Sequence, residues 1–269
     1  EYTDTLKNIG WDSRYLLSFD YGLSGGQYNN FASISDELPR LSMAVATLSA
    51  IHKYDGGDGK VNLVGYSSGA LLAKNFLGNY KASHHVSNFI SIAGDFKGSF
   101  LADLESGADF PRTASEATVK LAKIFSPGIS SFNPLTYGRT PRDTIFKTQI
   151  ISTSSQVASF KKEDLPDGVK YYSLQGDIKA TSTQKLFKSL IKSEGSLGDG
   201  AVLGSSTNDL PNVSTFSFLD SAIATRSVTR SAATVSASFT LPDFGKIKLF
   251  HSNLLKAVEI KNKILELLK

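Results

Sequence analysis

Two hydrophobic patterns alternate along this chain. Apolar residues spaced three and four positions apart, as at Leu41, Val45 and Leu48, predict helices. Compact runs of β-branched and aromatic residues predict strands. The predicted helices lie at 2–10, 36–54, 70–77 and 253–268, and the predicted strands at 14–20, 61–65, 86–94, 144–153, 169–176 and 246–250. Strands that alternate with helices predict an α/β fold, in which helices cover both faces of a mostly parallel sheet.

One stretch interrupts the alternation and another has no clear pattern. Residues 99–145 or so contain short apolar segments broken by proline and glycine, and they are typical of a lid or cap insertion. The Ser/Thr/Ala-rich stretch 221–238 is compatible with a helix, a loop or a mobile flap. We therefore expect a single domain over 1–269 that carries one insertion.

Composition agrees with a globular domain and excludes several classes of function. The chain has 269 residues with 41% hydrophobic content, which is enough to bury a sizeable core. A net charge of +4, with lysines spread along the chain, argues against a nucleic-acid partner. The absence of cysteine excludes disulfides, thiol catalysis and Cys-ligated metals. The first residue is Glu1, with neither a methionine nor a signal segment, so we expect a processed or trimmed form.

Two pentapeptides match the pattern Gly-x-Ser-x-Gly of a serine hydrolase's nucleophile turn: GLSGG at 22–26 and GYSSG at 65–69. Such a turn joins a strand to a helix and exposes the serine at the start of the helix. Ser67 has an apolar run before it and a helical pattern after it. Ser24 is followed by residues too rich in glycine and asparagine to begin a helix, so it is expected in a turn. Ser67 is the candidate nucleophile.

A general base and an acid must then reach Ser67. Active sites of parallel α/β sheets lie at the carboxyl ends of the strands. Of the four histidines, only His251 follows a predicted strand and also comes after the serine, as the order Ser, acid, His requires. Two carboxylates precede it in suitable loops, Asp177 after YYSLQG and Asp199 in GDGAVLGSS. These patterns leave the choice between the two aspartates open.

The order of these segments resembles that of the secreted bacterial triacylglycerol lipases and related α/β-hydrolase esterases. The segments that carry the resemblance are NIGWDSRYLLSFDYGLSGG, VNLVGYSSGA, SIAGDFKGSFLADL, VASFKKEDLPDGVKYYSLQG, GDGAVLGSS and FHSNLL. They cover most of 1–206 and 246–269. The resemblance implies an α/β-hydrolase fold with N-terminal strands missing, and it favours Asp199 over Asp177 as the acid.

Two departures from that family change the expected chemistry. The family carries a His-Gly loop that donates one N–H to the oxyanion, and nothing upstream of 2–11 supplies it. We therefore expect weak activity or none, an exposed edge strand at 14–20 and a separate preceding segment that pairs beside Leu16–Asp20. Many relatives hold calcium through an aspartate after the histidine, whereas Ser252 and Asn253 stand here, so no metal is expected.

The function implied by the resemblance is hydrolysis of carboxylic esters through a Ser67–His251–Asp199 triad and an acyl-enzyme. The backbone N–H of Ser68 is the expected oxyanion donor. The expected substrate is a small-molecule acyl ester or a lipid, with transient contact to a lipid interface, no cofactor, and a secreted or cell-surface location. Thioesterase, amidase and polyester hydrolysis remain open. The rival from another class is a catalytically impaired binding or structural protein on a hydrolase scaffold.

Overall fold

A computed structural model describes most of the predicted framework. The described residues are 2–19, 23–24, 27–28, 34–99, 155–158, 161–178, 198–199, 202, 204–220, 225–232, 235–242, 248–249 and 251–269. Of the predicted insertion at about 99–145, all but Ser99 lies outside the described residues, as does the predicted strand at 144–153.

The helices and strands alternate through most of the described chain. The helices are α1 (Tyr2–Asn8), α2 (Ile34–Tyr54), α3 (Ser68–Tyr80), α4 (Ser155–Ala158), α5 (Gly204–Thr207) and α6 (Val258–Leu267), with 3-10 turns at Ser13–Tyr15, Ala82–His84, Lys162–Asp164 and His251–Lys256. The strands are β1 (Leu23–Ser24), β2 (Gln27–Tyr28), β3 (Val61–Tyr66), β4 (Val86–Ile92), β5 (Lys170–Ile178), β6 (Ser214–Asp220), β7 (Thr225–Ala232) and β8 (Val235–Pro242).

The central sheet has the order β3-β4-β5-β6, and all of its neighbours are parallel. Register places Val64 opposite Ile90 and Ile90 opposite Tyr172. Two antiparallel pairs, β1-β2 and β7-β8, form separate two-stranded sheets. Because the carboxyl ends of all four central strands lie at the same edge, the loops that follow them converge there.

Two hydrophobic clusters show which helices cover which face of the sheet. Alternate residues of β4 point to opposite faces, so Phe89 packs with α2 and α3 while Ile90 packs with the C-terminal segments. The first cluster includes Leu41 of α2 and Phe76 of α3, and the second includes Ile260 of α6. The predicted α/β architecture, with helices on both faces of a parallel sheet, is confirmed.

The predicted strand at 14–20 is wrong for its described residues. Residues 13–15 form a 3-10 turn, and 16–19 belong to no strand. The Asp12 carboxylate accepts a hydrogen bond from the backbone N–H of Arg14, which caps this turn. Arg14 and Tyr15 then bind the Asp55 carboxylate at the end of α2. These polar contacts outweigh the apolar run, and in the described part of the chain the outer strand on this side of the central sheet is β3.

Three further segments differ from, or add to, the sequence prediction. Within 246–250, the two described residues, Lys248 and Leu249, lie in a turn instead of a strand. The fourth strand of the sheet is β6, which sequence patterns did not predict, although Phe216 and Phe218 alternate with polar residues and pack on the second cluster. The unassigned stretch 221–238 contributes to the hairpin β7-β8. In the described residues, no helix is both long and apolar enough to cross a membrane.

Candidate active site

The turn between β3 and α3 holds Ser67 in a strained conformation. Its backbone φ is 53° and ψ is −129°, a region that residues other than glycine rarely adopt. Gly65 allows the tight crossing, because a Cβ added there would lie 2.6 Å from the Cα of Ala70 in the helix. GYSSG thus forms a sharp strand-to-helix elbow, in which Gly65 allows the close crossing and Ser67 adopts the strained conformation. This is the geometry that presents a nucleophilic serine.

The elbow is anchored on one side and open on the other. The N–H of Ser67 donates to the carbonyl of Ile92 at 2.9 Å, which extends the β3-β4 ladder to the serine itself. Ser68 is the first residue of α3, and the N–H groups of a first helical turn have no partner inside their own helix. The positive end of the helix dipole therefore lies directly beside the Ser67 hydroxyl.

His251 begins the 3-10 turn His251–Lys256, and its ring reaches the serine. Its Nε2 lies 2.9 Å from the Oγ of Ser67. The side chain is 18% exposed, so the ring is largely shielded but not sealed from solvent. This arrangement lets Nε2 accept a proton from the hydroxyl.

Asp199 holds the other side of that ring. Its Oδ2 lies 2.6 Å from Nδ1 of His251, and its Oδ1 accepts the N–H of Val202 at 2.9 Å. The backbone N–H of His251 also donates to the Asp199 carbonyl at 3.0 Å. Gly198 has a φ of +60°, and a Cβ there would lie 2.0 Å from the Val202 carbonyl oxygen, so the acid loop closes only with glycine at this position.

These contacts determine the protonation chemistry of His251. Burial lowers the pKa of its imidazole, but the Asp199 charge, the hydrogen bond that the ring donates to Asp199 and the Asp95 charge together outweigh burial, so the pKa is raised above its usual 6.5. With Nδ1–H donated to Asp199, Nε2 of the neutral ring carries the free lone pair. That tautomer is the one a general base toward Ser67 requires.

Tyr66, the residue before the serine, supports the histidine. Its hydroxyl donates to the His251 carbonyl at 2.6 Å, and the two rings stack with centroids 5.1 Å apart and planes 28° apart. Burial and, second, the negative charge of Asp199 raise the pKa of Tyr66, so the hydroxyl stays protonated as a donor. One side chain thus contacts both the backbone and the ring of His251.

Polar contacts also attach the segment after Asp199 to the sheet. Ser206 accepts the N–H of Lys97 at 2.9 Å and donates to the Gly98 carbonyl at 3.0 Å. The Nζ of Lys74, a side chain only 2% exposed on α3, lies 3.1 Å from Asp209. The elbow helix, the loop after β4 and the acid segment are therefore tied into one unit.

The structure brings three predicted site residues together and leaves the others apart. Ser67, His251 and Asp199 form one hydrogen-bonded row. Asp177 instead lies within β5, in register with Leu219 of β6. In the described part of the chain, no group of three or more His, Cys, Asp or Glu side chains is arranged to hold a metal ion.

The remaining sequence candidates lie away from this row. Ser24 ends β1 in the small β1-β2 pair, in register with Gln27, so it lies in a short strand and not in the turn predicted for it. His84 and His85 directly precede β4 and therefore lie at the opposite end of the sheet from Ser67. His52 is on the last turn of α2, where its Nδ1 lies 3.2 Å from the Lys60 carbonyl.

Sequence reasoning missed two residues that the structure places at the site, Tyr66 and Asp95. Tyr66 occupies a variable position of the motif, and nothing in the spacing signals its contact with a residue far along the chain. Asp95 was detectable, because it follows a predicted strand, and carboxyl ends of parallel strands were the rule that selected His251.

Comparisons with known proteins give weak likenesses. No protein-family model matches the chain, and no curated protein matches it. The lipase BlEst2 of Bacillus licheniformis in its mature form is 19% identical at a TM-score of 0.45, over 72% of this chain and 68% of that one. A metagenomic carboxyl esterase is 17% identical at a TM-score of 0.42, over 72% and 51%. Phospholipase PlaB from Legionella pneumophila is 13% identical at a TM-score of 0.46, over 98% and 54%.

The chain spans about half the length of the last two proteins. Likenesses this weak carry no argument about the chemistry of the site, which depends on its own geometry.

Proposed function

We propose that this protein is a serine hydrolase that cleaves carboxylic esters through an acyl-enzyme. One observation carries the proposal: His251 lies between the Ser67 hydroxyl, 2.9 Å from Nε2, and the Asp199 carboxylate, 2.6 Å from Nδ1. The strained elbow at Ser67 supports it, because strain of this kind is retained where function requires an exposed side chain.

In the first half of the reaction, the Oγ of Ser67 attacks the ester carbonyl while Nε2 of His251 takes the hydroxyl proton. The tetrahedral intermediate collapses, the ester C–O bond breaks, and the imidazolium returns its proton to the leaving alcohol. Asp199 keeps the ring in the required tautomer and stabilises its positive charge.

The second half repeats these steps with water. His251 removes a proton from the water, and the hydroxide adds to the acyl-enzyme carbonyl. Collapse then breaks the bond between the acyl carbon and Ser67 Oγ, which takes the proton back from the imidazolium as the carboxylic acid leaves. In both halves the negative oxygen faces the backbone N–H of Ser68 at the start of α3. Loss of one oxyanion donor typically lowers turnover by about 10² to 10³, so this N–H is expected to contribute strongly to the rate.

The raised pKa of His251 determines the pH at which kcat/KM falls on the acid side of the pH profile. Only the neutral ring accepts the serine proton, so kcat/KM falls as His251 becomes protonated. Because the folded pKa is above 6.5, we expect the midpoint of this fall above pH 6.5.

Small acyl esters and lipids are the proposed substrates. Contact with a lipid interface and an extracellular location belong to the same proposal. Sequence patterns do not separate esters from thioesters or amides, since that choice depends on the shape of the pocket.

Labelling with a serine-directed fluorophosphonate tests the proposal. We expect one covalent adduct, mapped by mass spectrometry to the peptide that contains Ser67, together with hydrolysis of p-nitrophenyl esters of graded chain length. An adduct on another serine would contradict the assignment. A folded chain with neither labelling nor hydrolysis would favour a binding protein on a hydrolase scaffold.

A further inference from the structure

A third carboxyl group is buried beside the hydrogen-bonded row. Asp95 follows β4 at the carboxyl edge of the sheet and is 1% exposed. In the described part of the chain its Oδ1 has no hydrogen-bond partner. A buried carboxyl oxygen without a hydrogen-bond partner lowers the stability of the fold. A fold that keeps such an oxygen therefore indicates a functional role for the group.

The turn that carries Asp95 is itself strained. Ala93 has a φ of 49°, a conformation that favours glycine. A Cβ on Gly94 would lie 2.5 Å from the Oγ of Ser91 and 2.6 Å from the Phe96 ring, so only glycine fits between them. The turn is held by the N–H of Ala93, which donates to the Leu174 carbonyl at 2.9 Å. This geometry directs the chain end of β4 into the interior instead of toward solvent.

The charged neighbours of Asp95 belong to the candidate active site. Burial raises its pKa to about 6, the hydrogen bond from its own backbone and the His251 charge act against that rise, and the Asp199 charge adds to it. The Asp95 charge in turn acts to raise the pKa of His251. In the described residues, the titratable groups that face this pair are Asp199 from the acid loop and Tyr66 from β3, which stacks on the histidine ring.

We propose that Asp95 is a positioning residue of this site, a second buried carboxyl that acts through the charge of His251 without touching its ring. The proposal rests on the function proposed above, since it gives Asp95 a role in the proton cycle of His251. Asp199 already occupies Nδ1, so Asp95 acts through the electric field in a water-poor interior, where a charge reaches further than it does in water.

The two carboxyls therefore have different tasks. Asp199 orients the ring through a direct hydrogen bond. Asp95 adds negative charge when it is ionised and thereby favours the imidazolium that forms during attack by Ser67. When Asp95 is protonated, that support is lost, and the ring releases its proton at lower pH. The protonation of Asp95 thus adjusts the pH range over which His251 acts as a base.

The test is an NMR titration of the His251 ring in the full chain, with Asp95→Asn compared with the unmodified protein. We expect the titration midpoint of His251, and the acid limb of kcat/KM, to move to lower pH in the variant. On the alkaline plateau we expect kcat/KM to fall roughly threefold to tenfold, because the imidazolium loses one of two carboxylate neighbours. KM should stay unchanged, since Asp95 is not proposed to touch substrate.

Asp58→Asn is the matched control, since it makes the same substitution at a side chain 65% exposed on the turn before β3. It should leave the His251 titration and the pH profile unmoved. A titration of His251 that is identical in Asp95→Asn and the unmodified protein would overturn the proposal.

A second measurement needs no variant. Carbon-13 NMR of the aspartate carboxyls in the unmodified protein should show Asp95 titrating near pH 6, with an inflection shared by His251. A carboxyl that titrates in the ordinary range without an effect on His251 would also overturn it. Coupled titration in a protein without esterase activity would instead contradict the proposed function alone, while activity with uncoupled titration would contradict only the role of Asp95.

Discussion

The central sheet carries a serine–histidine contact at each end, and the two differ in almost every other respect. At the carboxyl end, Ser67 Oγ lies 2.9 Å from Nε2 of His251. At the amino end, Ser49 Oγ lies 2.8 Å from Nδ1 of His85. The distances are nearly equal, so distance alone does not distinguish a candidate nucleophile from a structural hydroxyl.

The direction of the hydrogen bonds separates the two pairs. The Ser49 hydroxyl donates its proton to the Gly59 carbonyl at 2.5 Å, so it can only accept from His85. Burial and then the charge of His84 lower the pKa of His85. At the carboxyl end the Asp199 carboxylate accepts a hydrogen bond from Nδ1–H of His251, and the pKa of His251 is raised. Nε2 is therefore the nitrogen that can accept a hydrogen bond from the Ser67 hydroxyl.

The backbone separates them as well. Ser49 is 6% exposed in the C-terminal half of α2, so its hydroxyl is buried. Ser67 stands at the start of a helix in a strained turn. The two pairs thus differ in a carboxylate on the far side of the ring and in a strained turn at the start of a helix, the features that a nucleophilic serine requires.

Removing the two hydroxyls gives the largest contrast. Ser67→Ala should abolish fluorophosphonate labelling and lower kcat for ester hydrolysis by about 10⁶, as expected when a nucleophile that works as part of a unit is lost. Ser49→Ala should leave both unchanged and cost about 1 kcal/mol of unfolding free energy through its lost hydrogen bonds. Steady-state kinetics and chemical denaturation measure the two effects. Activity that survives Ser67→Ala would contradict the assignment of Ser67 as the nucleophile.

Replacing the Asp199 carboxylate should remove the hydrogen-bond acceptor that distinguishes the Ser67–His251 pair from the Ser49–His85 pair. Asp199→Asn should lower kcat by about 10⁴, since the amide no longer fixes the tautomer of His251. Asp177→Asn is the matched control and should change kcat by less than about threefold, since Asp177 lies in β5 and Nδ1 of His251 is bound to Asp199. Kinetics at pH 8 measure both variants, and the reverse ranking would transfer the role of the acid to Asp177.

A pH-dependent stability difference should also mark the carboxyl end. The folded pKa of Asp95 is about 6 against a usual 3.8, so its favourable contribution is complete below pH 3.8 and is lost as the pH rises through 6. Asp95→Asn has no carboxyl to ionise, so its unfolding free energy does not fall in this way as the pH rises. Its unfolding free energy relative to the unmodified protein should therefore rise by about 3 kcal/mol between pH 3.5 and pH 7.5.

Denaturant unfolding at several pH values measures that difference. A constant offset between Asp95→Asn and the unmodified protein at every pH would contradict the assigned ionisation of Asp95.

The smallest expected effect concerns a tyrosine at each end. Tyr66→Phe keeps the ring stacked on His251 and removes the hydrogen bond to its carbonyl. We expect kcat to fall about tenfold with KM unchanged, because one hydrogen bond that holds the base in position is lost. Tyr15→Phe removes the hydroxyl bound to Asp55 beside His52 and should leave kcat unchanged. An equal loss in both variants would indicate general destabilisation instead of positioning.

Local patterns were sufficient where neighbours in the sequence are also neighbours in the structure. The elbow of GYSSG was predicted from the apolar run before it and the helical spacing after it, and β3, Ser67 and α3 follow in that order. The parallel arrangement of β3, β4 and β5 was predicted from the alternation of strands and helices. These features depend on backbone geometry and on periods of two and 3.6 residues, which a single stretch of chain contains.

Patterns were misleading where contacts from elsewhere decided the outcome. The apolar run at 14–20 has the composition of a strand, but a strand also needs a ladder partner, and Asp12 and Asp55 hold its first residues in a turn. The last run, at 246–250, lies in a turn at its described residues, while the less apolar β6 pairs with β5. Strand formation is thus settled by pairing and packing, which propensity measures only on average.

The α/β class and the strand-to-helix turn around Ser67 were predictable from the sequence alone. The sequence left Asp177 and Asp199 as equal candidates until a family resemblance was invoked, and it contained no sign that Tyr66 meets the His251 carbonyl 185 positions away. Only the tertiary structure selected Asp199 as the partner of Nδ1 and buried Asp95 beside that pair. The physical reason is that hydrogen bonds and electrostatic coupling act over a few ångströms in space, and the packing of the whole sheet, not the spacing along the chain, determines which side chains come that close.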